Sequence, residues 1–299
     1  MPSPKTQPDE LDAYADTLEA SGDFKVLRRL RMPELTSRPL NPGERVAIVV
    51  DTETTGLNLR HDEATELAML AFAYDQNGTI TSILDAYSAL REPSVPISPE
   101  SASLTGITSS MVKGKRLDEA KVEAFLAPAA LIIAHNAAFD RPICEKLSPA
   151  FAEKSWACTA TQINWRGIGF EGTKLIYLLY QFGLFHHGHR AMDDAAGTLE
   201  ILRRPFPSDG KTALPILLDN ARSASVRMWL QTAPELAPSL RARGYRWHNG
   251  TATRRRSWWK EVDEAKAAAE IQFIEQQGPL VRSMEHKRIT AFERFKLDL

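Results

Sequence analysis

Val46-Ala-Ile-Val-Val-Asp-Thr-Glu-Thr-Thr-Gly56 begins with five apolar residues and ends in two carboxylates and a glycine. A continuous apolar run of this kind is typical of a strand that is buried on both faces of a sheet. Because side chains alternate along a strand, Asp51 and Glu53 must project from the same face. Two neighbouring carboxylates repel each other, so either one of them holds a proton or a cation lies between them.

The chemistry of this stretch leaves two interpretations open. Its threonines are neutral oxygen donors, and no cysteine or pair of histidines stands nearby to favour zinc. Oxygen ligands alone favour Mg²⁺ or Mn²⁺. An ordinary strand end, in which Gly56 closes a turn, would explain the same residues. The metal site becomes the stronger interpretation only if further acids converge on Asp51 and Glu53 from elsewhere in the chain.

Length and composition limit the class of protein. A chain of 299 residues has room for one main domain and a smaller second unit. Its 37 basic and 38 acidic residues give a net charge of -1, which excludes a uniformly basic nucleic-acid-binding protein but permits local basic patches. No apolar run approaches the roughly 18 residues of a membrane helix. The N-terminal residues are acidic and polar, unlike a signal peptide, so we expect no membrane association and a cytoplasmic location. Cys144 and Cys158 are expected to be buried free thiols.

The segment that precedes the first strand is predicted to be a separate arm. Residues 1–44 read as an N-terminal helical arm and linker, with one helix at 11–18 and a second, basic helix at 24–31. An α/β pattern then runs from 45 to 206. Two strands at 64–74 and 79–87, joined by the hairpin turn Asp75-Gln-Asn-Gly78, follow the first strand in antiparallel order. Beyond them helices and strands alternate: helix 117–125, strand 130–134 and its following helix, strand and helix 155–166, helix 174–182, and a helix that ends near Arg203.

Two later segments supply the further acids. In His135-Asn-Ala-Ala-Phe-Asp140, Asn136 can cap a helix and Asp140 lies in its first turn, where the helix dipole favours the ionised carboxylate. In His189-Arg-Ala-Met-Asp-Asp-Ala195, the histidine precedes a helix that contains Asp194. Both segments therefore place an acid at the start of a helix.

The three acidic segments resemble, in this order, the motifs of the DEDD exonuclease superfamily in its histidine-bearing branch. That branch includes the proofreading epsilon subunit of bacterial DNA polymerase III and ribonuclease T. The resemblance spans residues 46–204. It implies a ribonuclease H-like α/β domain, with three antiparallel strands extended by parallel ones and helices on both faces.

The resemblance also implies a role for each matched residue. The family spacing of five residues from the histidine selects Asp194 over its rival Asp193. Four carboxylates in one pocket require about two divalent cations, Mg²⁺ or Mn²⁺, which are the standard arrangement for phosphodiester cleavage. An imidazole suits proton removal from the attacking water near neutral pH. The general base would be His189. The metal ligands would be Asp51, Glu53, Asp140 and Asp194.

Several residues beside these motifs are candidates for contacts with the substrate. Family members often carry histidine where Thr105 stands, which leaves that contact open. Leu57 could equally be an ordinary turn leucine, Phe139 a core residue, and Asn136 simply a helix cap. Three other histidines, His135, His186 and His187, are expected to lie in loops or behind the ligands. The candidate substrate contacts are Thr54, Gly56, Leu57, Thr105, Asn136 and Phe139.

The remaining residues are predicted to form a connecting helix within 207–238 and a small basic α+β module at 239–299. Between Arg241 and Lys260 the chain has seven basic residues, no acid and four large aromatics. This composition suits single-stranded nucleic acid, although a small tryptophan core with basic rims would have the same composition. A hairpin, a helix at 264–277 and a further hairpin at 280–297 are predicted. The candidate nucleic-acid patch consists of Arg246, Trp247, Arg254, Arg255, Arg256, Trp258 and Trp259.

The sequence thus predicts a two-metal 3'-to-5' exonuclease that releases nucleoside monophosphates from nucleic acid, with DNA and single strands favoured. A dedicated proofreading subunit with a polymerase or repair partner is the first alternative. An inactive module that binds single-stranded nucleic acid is the second. Loss of one acid would be typical of such an inactive module, and the full set of five residues is present.

Overall fold

The computed structural model of the chain describes residues 8–186, 188–250 and 254–297. The helices are α1 Pro8–Ala20, α2 Pro99–Thr105, α3 Ser109–Val112, α4 Glu119–Leu126, α5 Ala137–Leu147, α6 Thr159–Gln162, α7 Leu175–Gln181, α8 Ala191–Arg203, α9 Ala213–Arg222, α10 Ala237–Ala242 and α11 Glu264–Glu275. The strands are β1 Arg28–Arg29, β2 Arg45–Thr54, β3 Ala64–Tyr74, β4 Ile80–Leu90, β5 Ala129–Ala134, β6 Trp156–Cys158, β7 Leu184–Phe185, β8 Ser225–Thr232, β9 Arg246–His248, β10 Ser257–Asp263 and β11 Val281–Ile289. Among these residues, none of the helices is long and apolar enough to cross a bilayer.

The main domain is built on a five-stranded mixed sheet in the order β4-β3-β2-β5-β6. Strands β4, β3 and β2 pair antiparallel, whereas β5 and β6 run parallel to β2. The apolar run at the start of β2 is buried, and every residue of its neighbour β3 is buried as well. The predicted ribonuclease H-like arrangement of a mixed sheet with flanking helices is confirmed.

The two faces of β2 are covered by different helices. Ala47 and Val49 pack in one core with residues of α7, α8 and α9. Ile48 and Val50 pack in a second core with residues of α4 and α5. Because side chains alternate, the positions of Asp51 and Glu53 continue the α8 face. Thr52 continues the α5 face. The end of β2 can therefore receive side chains from both layers.

The C-terminal module contains a second sheet of four antiparallel strands in the order β11-β8-β10-β9. Helices α10 and α11 pack against this sheet through Leu240, Ala267 and Ile274. The chain order is strand, helix, strand, strand, helix, strand, which is the ferredoxin-like arrangement.

The start and end of this module differ from the sequence predictions. The connecting helix predicted within 207–238 ends at Arg222, and 225–232 form β8. Alternation of buried apolar residues in β8 has the period of a strand, so the sheet begins inside the predicted connecting segment 207–238. The hairpin predicted at 280–297 is the single strand β11, followed by turns up to residue 297.

The N-terminal arm is helical only in its first part. The helix α1 confirms the first prediction, but the second helix predicted at 24–31 is wrong. There β1 pairs parallel with β7, with Arg28 opposite Leu184. The Arg28 guanidinium also forms ion pairs with Asp16 at 2.8 Å and with Asp12 and Glu19, each at 3.3 Å, on α1. These pairings outweigh the helical spacing of the apolar residues.

The segment after β11 attaches the module to the main domain. Arg141, the residue after Asp140 on α5, is fully buried and donates hydrogen bonds of 2.8 Å to the carbonyls of Phe292 and Arg294. The backbone amide of Trp156 on the edge strand β6 donates to the carbonyl of Ala291 at 2.9 Å. The same helix that carries Asp140 therefore also anchors the C-terminal module.

Candidate active site

Three carboxylates meet at the end of β2. One oxygen from each of Asp51, Glu53 and Asp194 lies within 4.8 Å of the other two. Asp51 and Glu53 come from β2, and Asp194 comes from the first turn of α8 on the same face of the sheet. Hard carboxylate oxygens at this spacing can hold a divalent cation. Asp194, which lies about 140 residues after β2 in the chain, is therefore the further acid that a metal site requires.

Asp140 reaches the strand end from the opposite layer. Its Oδ1 accepts a 2.9 Å hydrogen bond from the hydroxyl of Thr52, and its side chain is buried. It lies outside the compact group of three, because α5 and α8 cover different faces of β2. Its charge nevertheless raises the pKa of Asp51, so the fourth acid belongs to the same electrostatic site.

Burial and the charges of neighbouring carboxylates disfavour ionisation of Asp51, Glu53 and Asp140. Burial raises the pKa of Asp51 well above its usual range, and the charges of Asp140 and Asp194 raise it further. Burial and then the charge of Asp194 raise the pKa of Glu53 to about 8. Burial raises the pKa of Asp140 to about 7, although the hydrogen bond from Thr52 opposes it. A pocket of oxygen ligands that repel one another in this way fits divalent cations, which would offset the repulsion.

Asp194 is held by two hydrogen bonds from the loop before α8. The backbone amide of His189 donates to its Oδ2 at 2.8 Å. Nε2 of His186 lies 2.6 Å from its Oδ1, and the His186 side chain is buried. His189 itself is exposed, with φ of 70° in the left-handed region, and the bond from its backbone amide places this residue next to Asp194. His187 lies outside the described residues.

The other predicted loop histidine, His135, joins two segments behind the site. Its Nδ1 lies 2.7 Å from the hydroxyl of Thr159, and its Nε2 lies 2.8 Å from the carbonyl of Thr173. Burial lowers the pKa of His135. A neutral ring with both nitrogens engaged positions these loops and offers no lone pair to a cation.

Sequence reasoning missed Glu66, which lies directly opposite Glu53 in the β2–β3 register. The Glu66 carboxylate is buried and receives two hydrogen bonds from Arg190, at 2.7 and 3.0 Å. It also accepts from the amide of Ala191 at 3.2 Å. Glu66 therefore fixes the start of α8, where Asp194 and His189 lie. A single charged residue in the otherwise uncharged strand 64–74 was the signal that could have revealed it.

The turn after β2 is tightly built and exposes one leucine. A Cβ on Gly56 would lie 2.6 Å from Oδ2 of Asp62, so a larger residue would have to displace this carboxylate from its hydrogen bonds with Thr55 and Asn58. The hydroxyl of Thr54 donates to the carbonyl of Gly56 at 2.6 Å. Leu57 follows with 85% of its surface exposed, four residues after Glu53 in the chain. Leu57 is therefore accessible to a ligand, while Thr54 and Gly56 shape the turn.

The remaining substrate candidates have different environments. Thr105 is buried, and its hydroxyl donates to the carbonyl of Ser101 and accepts from the amide of Ile107. Phe139 is half-buried. Asn136 is exposed, and within the described chain its side chain accepts no capping hydrogen bond from α5, contrary to the predicted cap. Its side chain therefore remains available to a ligand, whereas the Thr105 hydroxyl already has two partners.

The predicted nucleic-acid patch is divided between the two faces of the module's sheet. Trp258 is buried in the core beneath the helices, and Trp247, 49% exposed, packs on it with ring centroids 5.3 Å apart. Arg246 and Trp259 are paired in register and point to the other face. The guanidinium of Arg254 lies on that second face, over Trp229, at 3.8 Å. Arg255 and Arg256 are exposed beside it.

Comparison with known proteins identifies relatives of the main domain. A family model described as an exonuclease, RNase_T, matches residues 48–202. The PolC-type DNA polymerase III of Thermotoga maritima is 32% identical over 170 residues, which cover 54% of this chain and 12% of that protein. The DNA polymerase III subunit epsilon of Treponema pallidum is 30% identical over 175 residues, which cover 53% of this chain and 75% of the relative.

Among solved structures, a zinc-bound complex of E. coli exonuclease I with single-stranded DNA has a TM-score of 0.51 at 16% identity, covering 79% of this chain and 71% of that chain. This second comparison concerns the fold alone. The chain covers only 12 to 14% of the first three PolC-type relatives that it matches.

Proposed function

This chain belongs to the exonuclease family whose model matches residues 48–202, and we propose that it hydrolyses phosphodiester bonds from the 3' end of nucleic acid. The observation that carries the proposal is the convergence of Asp51, Glu53 and Asp194 within 4.8 Å, with Asp140 beside them. Clustered carboxylates whose ionisation is unfavourable in the metal-free protein are typical of metal-dependent phosphoryl chemistry.

Two divalent cations, Mg²⁺ or Mn²⁺, are the proposed cofactors. When bound, they would supply charge neutralisation at the scissile phosphate and at the attacking and leaving oxygens. The four ligands are Asp51, Glu53, Asp140 and Asp194.

The protein's own residues orient the metal ligands and remove a proton from the attacking water. Thr52 holds Asp140 by its hydroxyl, and the amide of His189 holds Asp194. The imidazole of His189, a residue whose backbone amide is bonded to Asp194, takes the proton from the attacking water. Leu57, exposed just after β2 and its turn, contacts the terminal base.

The proposed substrate is DNA, with single strands favoured, and the products are nucleoside monophosphates. DNA is favoured because the curated relatives are DNA polymerase III proteins, PolC-type and epsilon. The two cysteines are buried free thiols, which suits a reducing compartment, and we propose the cytoplasm.

The decisive experiment incubates the purified chain with 5'-labelled single-stranded DNA, duplex DNA and single-stranded RNA, with Mg²⁺ or Mn²⁺, and follows the product ladders. Asp51→Ala and Asp194→Ala should abolish cleavage, and His189→Ala should lower it by about 100-fold or more. Asp193→Ala is the matched control, because Asp193 is exposed on the same turn of α8 as Asp194. Near-normal rates in Asp51→Ala would contradict the proposal.

A second candidate role is that of a proofreading subunit bound to a polymerase. The match to a DNA polymerase III subunit epsilon over 75% of that relative favours it. Copurification of the chain with a replicative polymerase subunit would support this role, and absence of binding at micromolar concentrations would argue against it. The inactive binding module remains the third candidate. Any metal-dependent ladder that Asp51→Ala abolishes would eliminate it.

A further inference from the structure

The C-terminal sheet has one face covered by helices and a second face with different chemistry. Val226, Met228 and Leu230 of β8 point into the core beneath α10 and α11. The residues that alternate with them, together with their register partners on β10, β9 and β11, point to the opposite side. We call this opposite side the open face.

Two tryptophans lie at the centre of the open face. Trp229 on β8 and Trp259 on β10 are directly opposite each other in the register of the two central strands. The guanidinium of Arg254 lies 3.8 Å from the ring centroid of Trp229. Those of Arg227 and Arg246 lie 5.1 and 5.6 Å from the centroid of Trp259. The face thus presents aromatic rings and planar guanidinium groups side by side.

The charge of the open face favours an anionic partner. Arg227 pairs with Glu261 at 2.7 Å, and Arg254 approaches Glu285 at 3.5 Å. Arg246 is exposed, and no carboxylate of the described residues forms a salt bridge with it. Trp259 is half-exposed, whereas Trp229 is buried with the Arg254 guanidinium over its ring. Guanidinium groups beside an accessible aromatic ring match the alternating phosphates and bases of a single strand.

The open face contains two shallow pockets. One, of about 210 Å³, is lined by Trp229, Gln231, Arg254 and Ser283 among others. The other, of about 290 Å³, lies beside Trp259 and Arg246. Each pocket has a tryptophan and at least one guanidinium in its wall, and the half-exposed ring of Trp259 offers a surface for one stacked base.

A groove lies between the main domain and the open face. It has a volume of about 1140 Å³ and is lined by Leu59 and Ala138 of the main domain and by Arg227 and Glu261 of the open face. Leu59 follows the turn that exposes Leu57, and Ala138 lies on α5, two residues before Asp140. A strand whose 3' end reaches the carboxylates could therefore continue along this groove to the module.

We propose that the open face of the C-terminal sheet binds single-stranded nucleic acid upstream of its 3' end, by stacking on Trp259 and by phosphate contacts from Arg246 and Arg254. The proposal rests on the proposed function for the direction in which the strand runs. Stacking on an aromatic ring tolerates any base, so this surface would hold the strand without selecting a sequence. Trp247 and Trp258 on the covered side would take no part.

The test measures binding of the full chain to a fluorescein-labelled oligo(dT) of 20 nucleotides by anisotropy, in EDTA so that no cleavage occurs. Trp259→Ala should weaken binding by about 5- to 150-fold, the range for loss of one stacked base. Trp259→Phe, which keeps an aromatic ring, should restore most of the affinity. Arg246→Glu should weaken binding and reduce its dependence on salt concentration.

Trp247→Ala is the matched control, since it removes the same side chain from the same hairpin on the covered side, and it should bind as the wild type does. Thermal melts would show that each variant is folded. Equal affinities for Trp259→Ala and Trp247→Ala, or no binding of the oligonucleotide by the wild type, would overturn the proposal. Because the assay needs neither metal nor catalysis, a chain that binds but does not cleave would refute the proposed function and leave this inference standing.

Discussion

Neutralising Glu53 should stabilise the metal-free protein, and the gain should depend on pH. The pKa of Glu53 is raised to about 8 in the fold, from 4.5 in a free chain, first by burial and then by the charge of Asp194. A raised pKa means that the folded state binds the proton more tightly than the unfolded state does. The stability from this group is therefore fully present below about pH 4.5 and is lost as the pH rises through about 8.

The magnitude follows from the size of that shift. With about 1.36 kcal/mol for each pKa unit, ionisation of Glu53 costs the metal-free fold about 4 kcal/mol at pH 8 and about 1 kcal/mol at pH 5. Glu53→Gln has no charge to lose at either pH. Because about 1 kcal/mol shifts the melting temperature of a domain of this size by roughly 2 to 4 °C, the variant should melt roughly 8 to 16 °C higher at pH 8.

The assay is thermal unfolding of wild type and Glu53→Gln in EDTA at pH 5, 6.5 and 8. The difference should shrink to roughly 2 to 4 °C at pH 5. Glu63→Gln is the control of opposite sign. Burial alone would raise the pKa of Glu63, but hydrogen bonds from Ser94 and Arg91 hold it at about 2, so its removal should destabilise the fold at neutral pH. Equal melting of Glu53→Gln and wild type at pH 8 would refute the electrostatic reasoning.

Three further changes test other parts of the structure. Excess Mg²⁺ or Mn²⁺ should raise the melting temperature of the wild type, because a cation at 100 times its dissociation constant adds about 2.7 kcal/mol to the free energy of unfolding. An unchanged melting curve would contradict the metal site. Arg141→Met leaves the carbonyls of Phe292 and Arg294 without their buried donor and should lower the free energy of unfolding by about 3 kcal/mol, measured in urea. Gly56→Ala places a Cβ 2.6 Å from the Asp62 carboxylate and should destabilise the protein by about 1 to 3 kcal/mol, whereas Gly172→Ala, with its nearest contact at 3.4 Å, should not.

The sequence was most informative where a local pattern determines the structure. The apolar run 46–50 predicted β2, and alternation predicted that Asp51 and Glu53 share a face. Spacing to the histidine selected Asp194, which the structure brings to that face. The hydrogen bond from Thr52 to Asp140 depends on how α5 packs against the opposite face of β2, and nothing local to either segment indicates it.

The C-terminal module shows why the remaining features could not be predicted. Neighbouring residues such as Trp258 and Trp259 must point to opposite faces of a strand, but the face that the helices cover is decided by pairing with β8. The residues of β8 lie directly after α9, inside the segment 207–238 that the sequence predicts to be a connecting helix. Without that strand, the basic and aromatic residues form one undivided patch in the sequence, and nothing indicates that Trp229 is the partner of Trp259.

Helix α5 links the two units of the molecule in a way that bears on how a strand would be held. Asp140 on this helix accepts a hydrogen bond from Thr52 of β2. The next residue, Arg141, donates hydrogen bonds to carbonyls of the segment that follows β11. The carboxylate site and the module's sheet are thus attached to adjacent residues of one helix. A strand bound on the open face would therefore lie at a set distance from the carboxylates. Because the guanidinium is fully buried, that attachment persists only while the C-terminal segment remains packed.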